Sequence, residues 1–158
     1  MSINDFINFF AKIRVTMNWE KLLAHSPTVA IREISDREEL IQLIVPWYRT
    51  EMEFDARYDA PGARAMSVRE VEQNFDSLPE KKRNGTQQNS NNYLNADAAI
   101  SIYLPAYQLP QNLHLLLDGN HRTIALARIT KPFSLKLISI VGPIDPEILP
   151  DLGHWLES

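Results

Sequence analysis

The chain of 158 residues has the length of about one domain, and a chain of this length buries roughly 70% of the surface that it would expose when unfolded. Hydrophobic residues make up 44% and charged residues 23%, a composition that is typical of a globular protein and excludes a disordered chain. Cysteine is absent, which excludes a disulfide scaffold, a thiolate metal site and any thiol nucleophile. The net charge of −4 disfavours a broad nucleic-acid surface and leaves room only for a local basic patch.

The sequence contains no candidate membrane span, because no run reaches the roughly 18 apolar residues that such a helix needs. The apolar stretch Ile3–Val15 is interrupted by Asp5, Lys12 and Arg14 and lacks a small-residue cleavage site, so a signal peptide is a poor fit. We therefore expect a cytoplasmic protein that does not engage a membrane.

The N-terminal third predicts helices around one strand. Apolar residues at helical spacing predict a helix over Ile3–Ile13 and a short one over Asn18–Ala24. These two helices either cover the core or bind a partner, and the first alternative is favoured because apolar helical faces usually pack within their own domain. Alternation over Thr28–Ile34 predicts a strand. A capping box then predicts a helix over Asp36–Met52, kinked or split at Pro46.

The middle of the chain reads as an insertion over residues 55–95. Asp55–Ala65 contains a Pro-Gly pair and predicts a loop, and a second capping box predicts a helix that begins at Ser67 and ends at about Asp76 or Leu78. Glu80–Asn95 contains seven Asn or Gln residues and no apolar face, so we expect a mobile loop. Its basic triplet Lys81-Lys82-Arg83 is either solvated or in contact with phosphate.

The last third carries the clearest pattern. Strands are predicted over Ala98–Tyr107, Leu113–Leu117 and Phe133–Val141, and helices over Asn120–Ile129 and Pro146–Trp155. The second of these strands is apolar on both faces, so we expect it in the interior of the sheet. Together the elements predict a single domain of the α/β (α+β) class, in which a small mixed sheet is packed with helices. Residues 1–26 form a helical extension, and residues 28–52 and 96–142 form the core.

One strand–turn–helix joint is the best candidate for a functional site. The buried strand stops at Asp118, Gly119 lets the backbone turn sharply and admits a ligand close to the main chain, and a helix begins at once. The first amides of that helix have no intrahelical partner and lie at the positive end of the helix dipole, which makes an anion site. His121 and Arg122 add donors, and an arginine binds phosphate with two parallel hydrogen bonds.

The same joint also fits a purely structural role. In that alternative Asp118 only caps the helix, Gly119 only makes the turn, and His121 and Arg122 are ordinary surface residues. In the functional alternative Asp118 holds a metal ion or accepts a proton from an attacking hydroxyl. The spacing of the residues does not decide between them.

A family resemblance favours the functional alternative. The segment Asp118-Gly119-Asn120-His121-Arg122, followed by Ala125-Leu126, resembles the signature of the ParB/sulfiredoxin superfamily, in which a strand leads into a Gly-x-x-Arg turn that opens a helix and binds nucleotide phosphates. The Asp-Gly-x-x-Arg form is similar to ParB-like proteins and to the free-serine kinases of this fold. The chain departs from true sulfiredoxins, which have a catalytic cysteine where Asn120 stands. It departs from chromosome-partitioning ParB proteins, which have Gly-Glu-Arg-Arg here and a helix-turn-helix downstream.

The resemblance implies a set of residue roles. Phosphates would be bound by Gly119, Asn120, His121, Arg122 and Thr123. Asp118, His121 and Arg122 would be catalytic, and Asp118 would bind the metal. The implied ligands are Mg²⁺ and a nucleotide, which is ATP, ADP or CTP. The implied reaction is nucleotide hydrolysis or phosphoryl transfer, as in an ATPase or phosphotransferase.

Two other functions stay open. The superfamily core can serve as a catalytically silent scaffold that binds or inhibits a protein partner, for example in plasmid or conjugation biology, or it can act as a ParB-like nuclease. Three acids, Glu51, Glu53 and Asp55, are candidates for a second metal ligand or general base. His114, on the predicted interior strand, is better explained as a core histidine than as a ligand. Trp47, Tyr48 and Trp155 either stack on a base or pack in the core, and packing is favoured.

Overall fold

The computed structural model describes residues 1–13 and 16–156. Within these residues the chain forms six α-helices, α1 Ile3–Phe9, α2 Trp19–Ala24, α3 Arg37–Leu40, α4 Val68–Gln73, α5 Glu80–Asn95 and α6 Asn120–Arg128. It forms six strands, β1 Thr28–Ile34, β2 Ile44–Arg49, β3 Arg64–Ser67, β4 Ile100–Gln108, β5 His114–Leu116 and β6 Phe133–Val141. Three short 3₁₀ segments cover Phe75–Ser77, Pro110–Asn112 and Pro150–Trp155.

The strands form one mixed sheet in the order β1-β6-β4-β5-β2-β3. The β4–β6 and β2–β5 pairs are parallel, and the other three pairs are antiparallel. Apolar clusters cover both faces of the sheet. One includes residues of α3, α4 and α6, and the other includes the buried Phe6 of α1 and Leu22 of α2. The predicted α/β fold with a mixed sheet is confirmed, and both N-terminal helices cover the core.

The joint at Asp118 has the predicted architecture. β5 lies between β4 and β2, so the prediction of an interior strand is confirmed. Asp118 follows it, and α6 begins at Asn120. The predictions for β1 and β6 agree with the observed bounds of both strands. None of the helices within the described ranges is long and apolar enough to cross a bilayer.

The prediction of a helix over Asp36–Met52 is wrong. The helix ends at Leu40, and Ile44–Arg49 forms β2, which pairs with β5 on one side and β3 on the other. A register shift between Val45 and Tyr48 marks a bulge that contains Pro46. A bulge tolerates proline because no ladder hydrogen bond is required of that residue. The interval predicted to be a loop up to Ala65 also ends in a strand, since β3 begins at Arg64.

The prediction of a loop over Glu80–Asn95 is wrong as well, because these residues form α5, a helix of 16 residues. Thr86 and Ser90 are its only buried residues, and α5 packs alongside α6 through small and polar side chains. Its carboxyl end is held by Lys131, whose ammonium donates to the carbonyls of Tyr93 and Ala96. A cation at this end also complements the helix dipole. Tertiary contacts with α6 therefore replace the apolar face that the sequence lacks.

Candidate functional site

The turn before α6 requires a glycine for two independent reasons. Gly119 has φ +80°, in the left-handed region that strains other residues. A Cβ on Gly119 would lie 2.3 Å from Cδ2 of the buried Leu104 and 3.0 Å from Nη2 of Arg122. The Asp118 carboxylate accepts a hydrogen bond of 2.8 Å from the amide of Gly119. The backbone is thus brought close to Arg122, with the carboxylate beside it.

The amino end of α6 carries free backbone donors. Its N-cap is Gly119, so no side chain caps the helix, and the structural alternative in which Asp118 caps α6 is not what is observed. The amide and the hydroxyl of Thr123 both donate to the Gly119 carbonyl, at 3.0 and 2.8 Å. The amides of residues 120–122 cannot pair within the helix, and no acceptor for them occurs in the part of the chain that the structure describes. These amides and the helix dipole favour an anion at this position.

Asp118 and Arg122 stand where two clefts meet. The first, called the motif cleft, is lined by Pro46, Asn89 and residues 117–122 and has a volume of about 530 Å³. The second, called the aromatic cleft, is lined by residues 8–13, residues 101–103, Asp118 and Arg122 and has a volume of about 540 Å³. Neither Asp118 nor Arg122 forms an ion pair with another residue of the described ranges. Both charges are therefore free to act on a ligand.

His121 is held against α5. Its ring lies edge-to-face with Trp47 at 5.1 Å between centroids, and a Cβ on Gly85 would lie 2.8 Å from its Cδ2. Burial lowers the pKa of His121, and the nearby Lys82 and Lys81 lower it further, which favours the neutral ring. Its Nε2 is enclosed and has no hydrogen-bond partner among the described residues. A catalytic role for His121 stays a prediction.

The predicted site residues differ in how far their side chains are available to a ligand. Asp118, Gly119 and Arg122 face the clefts, whereas the Thr123 hydroxyl is buried and used within the turn. The Oδ1 of Asn120 is enclosed without a partner in the described chain, as is Nε2 of His121. Both residues nevertheless line the motif cleft, and their backbone amides meet no acceptor within the described chain.

Sequence reasoning missed the contribution of distant segments to the site. Pro46 comes from a bulge in a strand that was predicted as a helix, and Asn89 from a helix that was predicted as a loop. The aromatic cleft is completed by the end of α1 and the residues that follow it, which lie far away in sequence. A usable signal was Gly85, because an isolated glycine inside a polar stretch can mark close packing. No signal in the sequence indicated which partner it packs against.

The basic triplet Lys81-Lys82-Arg83 lies near the motif, but one of its side chains is engaged in contacts within the protein. Lys82 donates to Asp55 at 2.6 Å and lies 4.9 Å from the Trp47 ring centroid. Arg83 has an enclosed Nε without a hydrogen-bond partner among the described residues. Lys81 is exposed and is the member that remains free to meet an anion.

None of the other candidate acids and aromatic residues lines either cleft, although Trp47 packs against His121. Within residues 1–13 and 16–156, no three His, Asp or Glu side chains come together closely enough to hold a metal ion. Glu51 lines a separate cleft with Arg49. His114 bonds to Ser139 through Nδ1 at 2.9 Å, and its pKa is lowered by burial and by Arg32. Tyr48 donates to Asp151, so it is used structurally.

Comparison with known proteins adds no family assignment. No protein-family model, no curated protein and no solved structure matches the chain. The candidate function therefore rests on the geometry at Asp118–Arg122 and on the resemblance of that short motif.

Proposed function

We propose that the protein binds a nucleotide through its phosphates at Asp118–Arg122 and hydrolyses it or transfers a phosphoryl group. The observation that carries the proposal is the uncapped amino end of α6 beside Arg122, which forms no ion pair with any described residue, in a cleft that is open to solvent. Free amides, a helix dipole and a guanidinium at one point favour a multiply charged anion. A nucleotide of the ATP, ADP or CTP type supplies such an anion, in agreement with the motif resemblance.

Each residue of the motif has a separate role in this proposal. Gly119 keeps the turn free of a side chain, so that phosphate oxygens reach the amides of Asn120 and His121. Arg122 neutralises the phosphate charge, which is most of what phosphoryl transfer requires of a protein. Thr123 fixes the turn through its bond to the Gly119 carbonyl. Asp118 is exposed next to these donors, where it can accept the proton of an attacking hydroxyl.

Mg²⁺ fits this donor set only together with the nucleotide. Among the described residues, Asp118 is the single carboxylate that lines either cleft. Mg²⁺ usually keeps several waters and takes one or two carboxylates along with substrate phosphates, so one aspartate suffices for a shared site. When bound, the ion would offset the charge that develops on the phosphoryl oxygens.

Two substitutions test the proposal. Arg122→Ala removes a charged donor that is worth about 1.5–3 kcal/mol, so nucleotide affinity should fall roughly 10- to 150-fold. Asp118→Asn keeps an oxygen that can accept the Gly119 amide, so binding should change little while turnover collapses. Arg128→Ala, at the other end of the same helix, is the matched control and should bind nucleotide as the wild type does. Binding is measured by calorimetry and turnover by phosphate release, with melting temperatures for each variant.

Unchanged binding in a well-folded Arg122→Ala variant would refute the phosphate site. The motif would then be a structural joint, and the alternative of a silent scaffold that binds a protein partner would lead. Nicking of plasmid DNA that is abolished by a chelator and by Asp118→Asn would instead favour the nuclease alternative.

A further inference from the structure

The aromatic cleft displays two exposed rings. Phe9 of α1 is 54% exposed and Tyr103 of β4 is 44% exposed. Their centroids lie 5.5 Å apart with an angle of 67° between the ring planes. An edge-to-face contact of this kind covers the face of only one ring, so aromatic surface stays accessible in the cleft. Exposed apolar surface inside a concave, polar-rimmed site is typical of a ligand pocket.

The same cleft exposes an unpaired strand edge. β5 is short, and its pairing with β4 stops at Leu116 opposite Ala106, with one further bond from the Leu117 amide to the Pro105 carbonyl. Over residues 100–103, β4 pairs with β6 alone among the described strands. Alternate residues direct their backbone groups to the same side of a strand. The amides and carbonyls of Ser101 and Tyr103 therefore point away from β6, on the same side as the Pro105 carbonyl.

These backbone groups have no partner among the residues that the structure describes. They offer a donor and an acceptor in adjacent positions beside the Tyr103 ring. The edge of a nucleobase also presents a donor and an acceptor side by side, and its face stacks on an aromatic ring. Stacking surface and hydrogen-bonding edge are thus combined along one short piece of β4.

Positive charge links this cleft to the motif. Arg122 lines both clefts, and Lys12 lines the aromatic cleft. Lys136, the register partner of Tyr103 on β6, lies 5.7 Å from the Tyr103 ring centroid, on the side opposite the open edge. Asp118 is the only acid that residues 1–13 and 16–156 contribute to the lining. A planar ring that carries phosphates matches this combination of aromatic surface and cations.

We propose that the aromatic cleft is the base-binding half of the nucleotide site, in which the heterocycle stacks on Tyr103 and meets the open edge at Ser101 while the phosphates reach Arg122. This inference rests on the proposed function and adds the side chains that hold the base. Because backbone groups and stacking do most of the recognition, discrimination between bases should be weak.

The test separates the base from the phosphates. The four nucleoside triphosphates, the four nucleosides and inorganic tripolyphosphate are titrated by calorimetry into the full chain and into Tyr103→Ala, Tyr103→Phe and Arg122→Ala. Tyr58→Ala is the matched control, since Tyr58 is 41% exposed and does not line either cleft. Thermal unfolding of each variant shows that it is folded.

We expect Tyr103→Ala to lose about 5- to 150-fold in affinity for a nucleoside triphosphate, the usual worth of stacking on one base, with tripolyphosphate binding unchanged. Tyr103→Phe keeps the ring and should bind as the wild type does, as should Tyr58→Ala. Arg122→Ala should weaken the binding of triphosphates and tripolyphosphate alike.

Other outcomes distinguish the two proposals. If Tyr103→Ala binds every triphosphate as tightly as the wild type while Arg122→Ala does not, the base site is overturned and the phosphate site stands. If the wild type binds a nucleoside in a Tyr103-dependent manner but not tripolyphosphate, the base site stands and the phosphate site fails. If it binds none of these molecules, both are overturned.

Discussion

Replacement of Gly119 by alanine tests whether the turn at the motif depends on close approach as well as on backbone conformation. A left-handed conformation costs a residue with a Cβ about 1–2 kcal/mol. The added Cβ would also lie 2.3 Å from Leu104, which is fully buried and cannot move aside freely. Overpacking of this kind costs about 1–3 kcal/mol. We therefore expect the free energy of unfolding to fall by about 2–5 kcal/mol.

Gly62→Ala is the matched control for this substitution. Gly62 has φ +76°, close to that of Gly119, but a Cβ there would meet no atom within 4 Å. It should carry the backbone cost alone, about 1–2 kcal/mol. Urea unfolding of both variants, followed by circular dichroism, measures the difference. An equal decrease in the free energy of unfolding for Gly119→Ala and Gly62→Ala would refute our inference that Leu104 packs closely against Gly119.

Two further predictions concern the histidines and the α5–α6 contact. Helix propensity alone would make Gly85→Ala raise the free energy of unfolding by about 1 kcal/mol. We expect no such gain, because the added Cβ would lie 2.8 Å from Cδ2 of His121. In a His121→Ala background the gain should return, and a double-mutant cycle measured by urea unfolding gives the coupling. Burial lowers the pKa of His121 and of His114 below the ordinary value of 6.5, so the unfolded chain binds more protons as the pH falls through that value. The free energy of unfolding should therefore decrease from about pH 7.5 to about pH 5.5, and His121→Gln or His114→Gln should each reduce the decrease. A decrease of the same size in both variants would show that other groups cause it.

The joint at Asp118 was predictable because all of its signals are local. An apolar run that stops at Asp-Gly, followed by a helical pattern, specifies a buried strand, a turn and a helix within a dozen or so residues. The same holds for β1 and β6, whose alternation is read directly from the sequence. Free amides and a positive dipole end occur at the amino end of any helix, so the expectation of an anion site did not depend on tertiary contacts.

β2 was predicted wrongly because its residues fit a helical spacing although their composition favours a strand. Leu40, Ile41, Ile44, Val45 and Tyr48 lie at helical spacing, yet only the part up to Leu40 is helical. The stretch after it is rich in β-branched and aromatic residues, which favour a strand, and a proline in it disfavours a helix interior. Pairing with β3 and β5 stabilises the strand over the helix. A local sequence pattern does not indicate which strands will pair.

α5 shows why the other half of the site was beyond sequence reasoning. Its contact face repeats every three to four residues, but in small and polar side chains, through Gly85, Thr86, Asn89 and Ser90, rather than in apolar ones. Such a face gains little from burial alone, and the hydroxyls of Thr86 and Ser90 are enclosed without a hydrogen-bond partner within the described chain.

The position of α5 therefore depends on its neighbours. His121 fits against the bare backbone of Gly85, and Lys131 holds the carboxyl end. Both contacts are made with residues of the motif helix and the turn that follows it. Because Asn89 lines the motif cleft, any ligand that fills the cleft meets α5 as well as the α6 amides. A contact of this kind would stabilise the docked helix by mass action, so we expect ligand binding and the docking of α5 on α6 to be thermodynamically coupled.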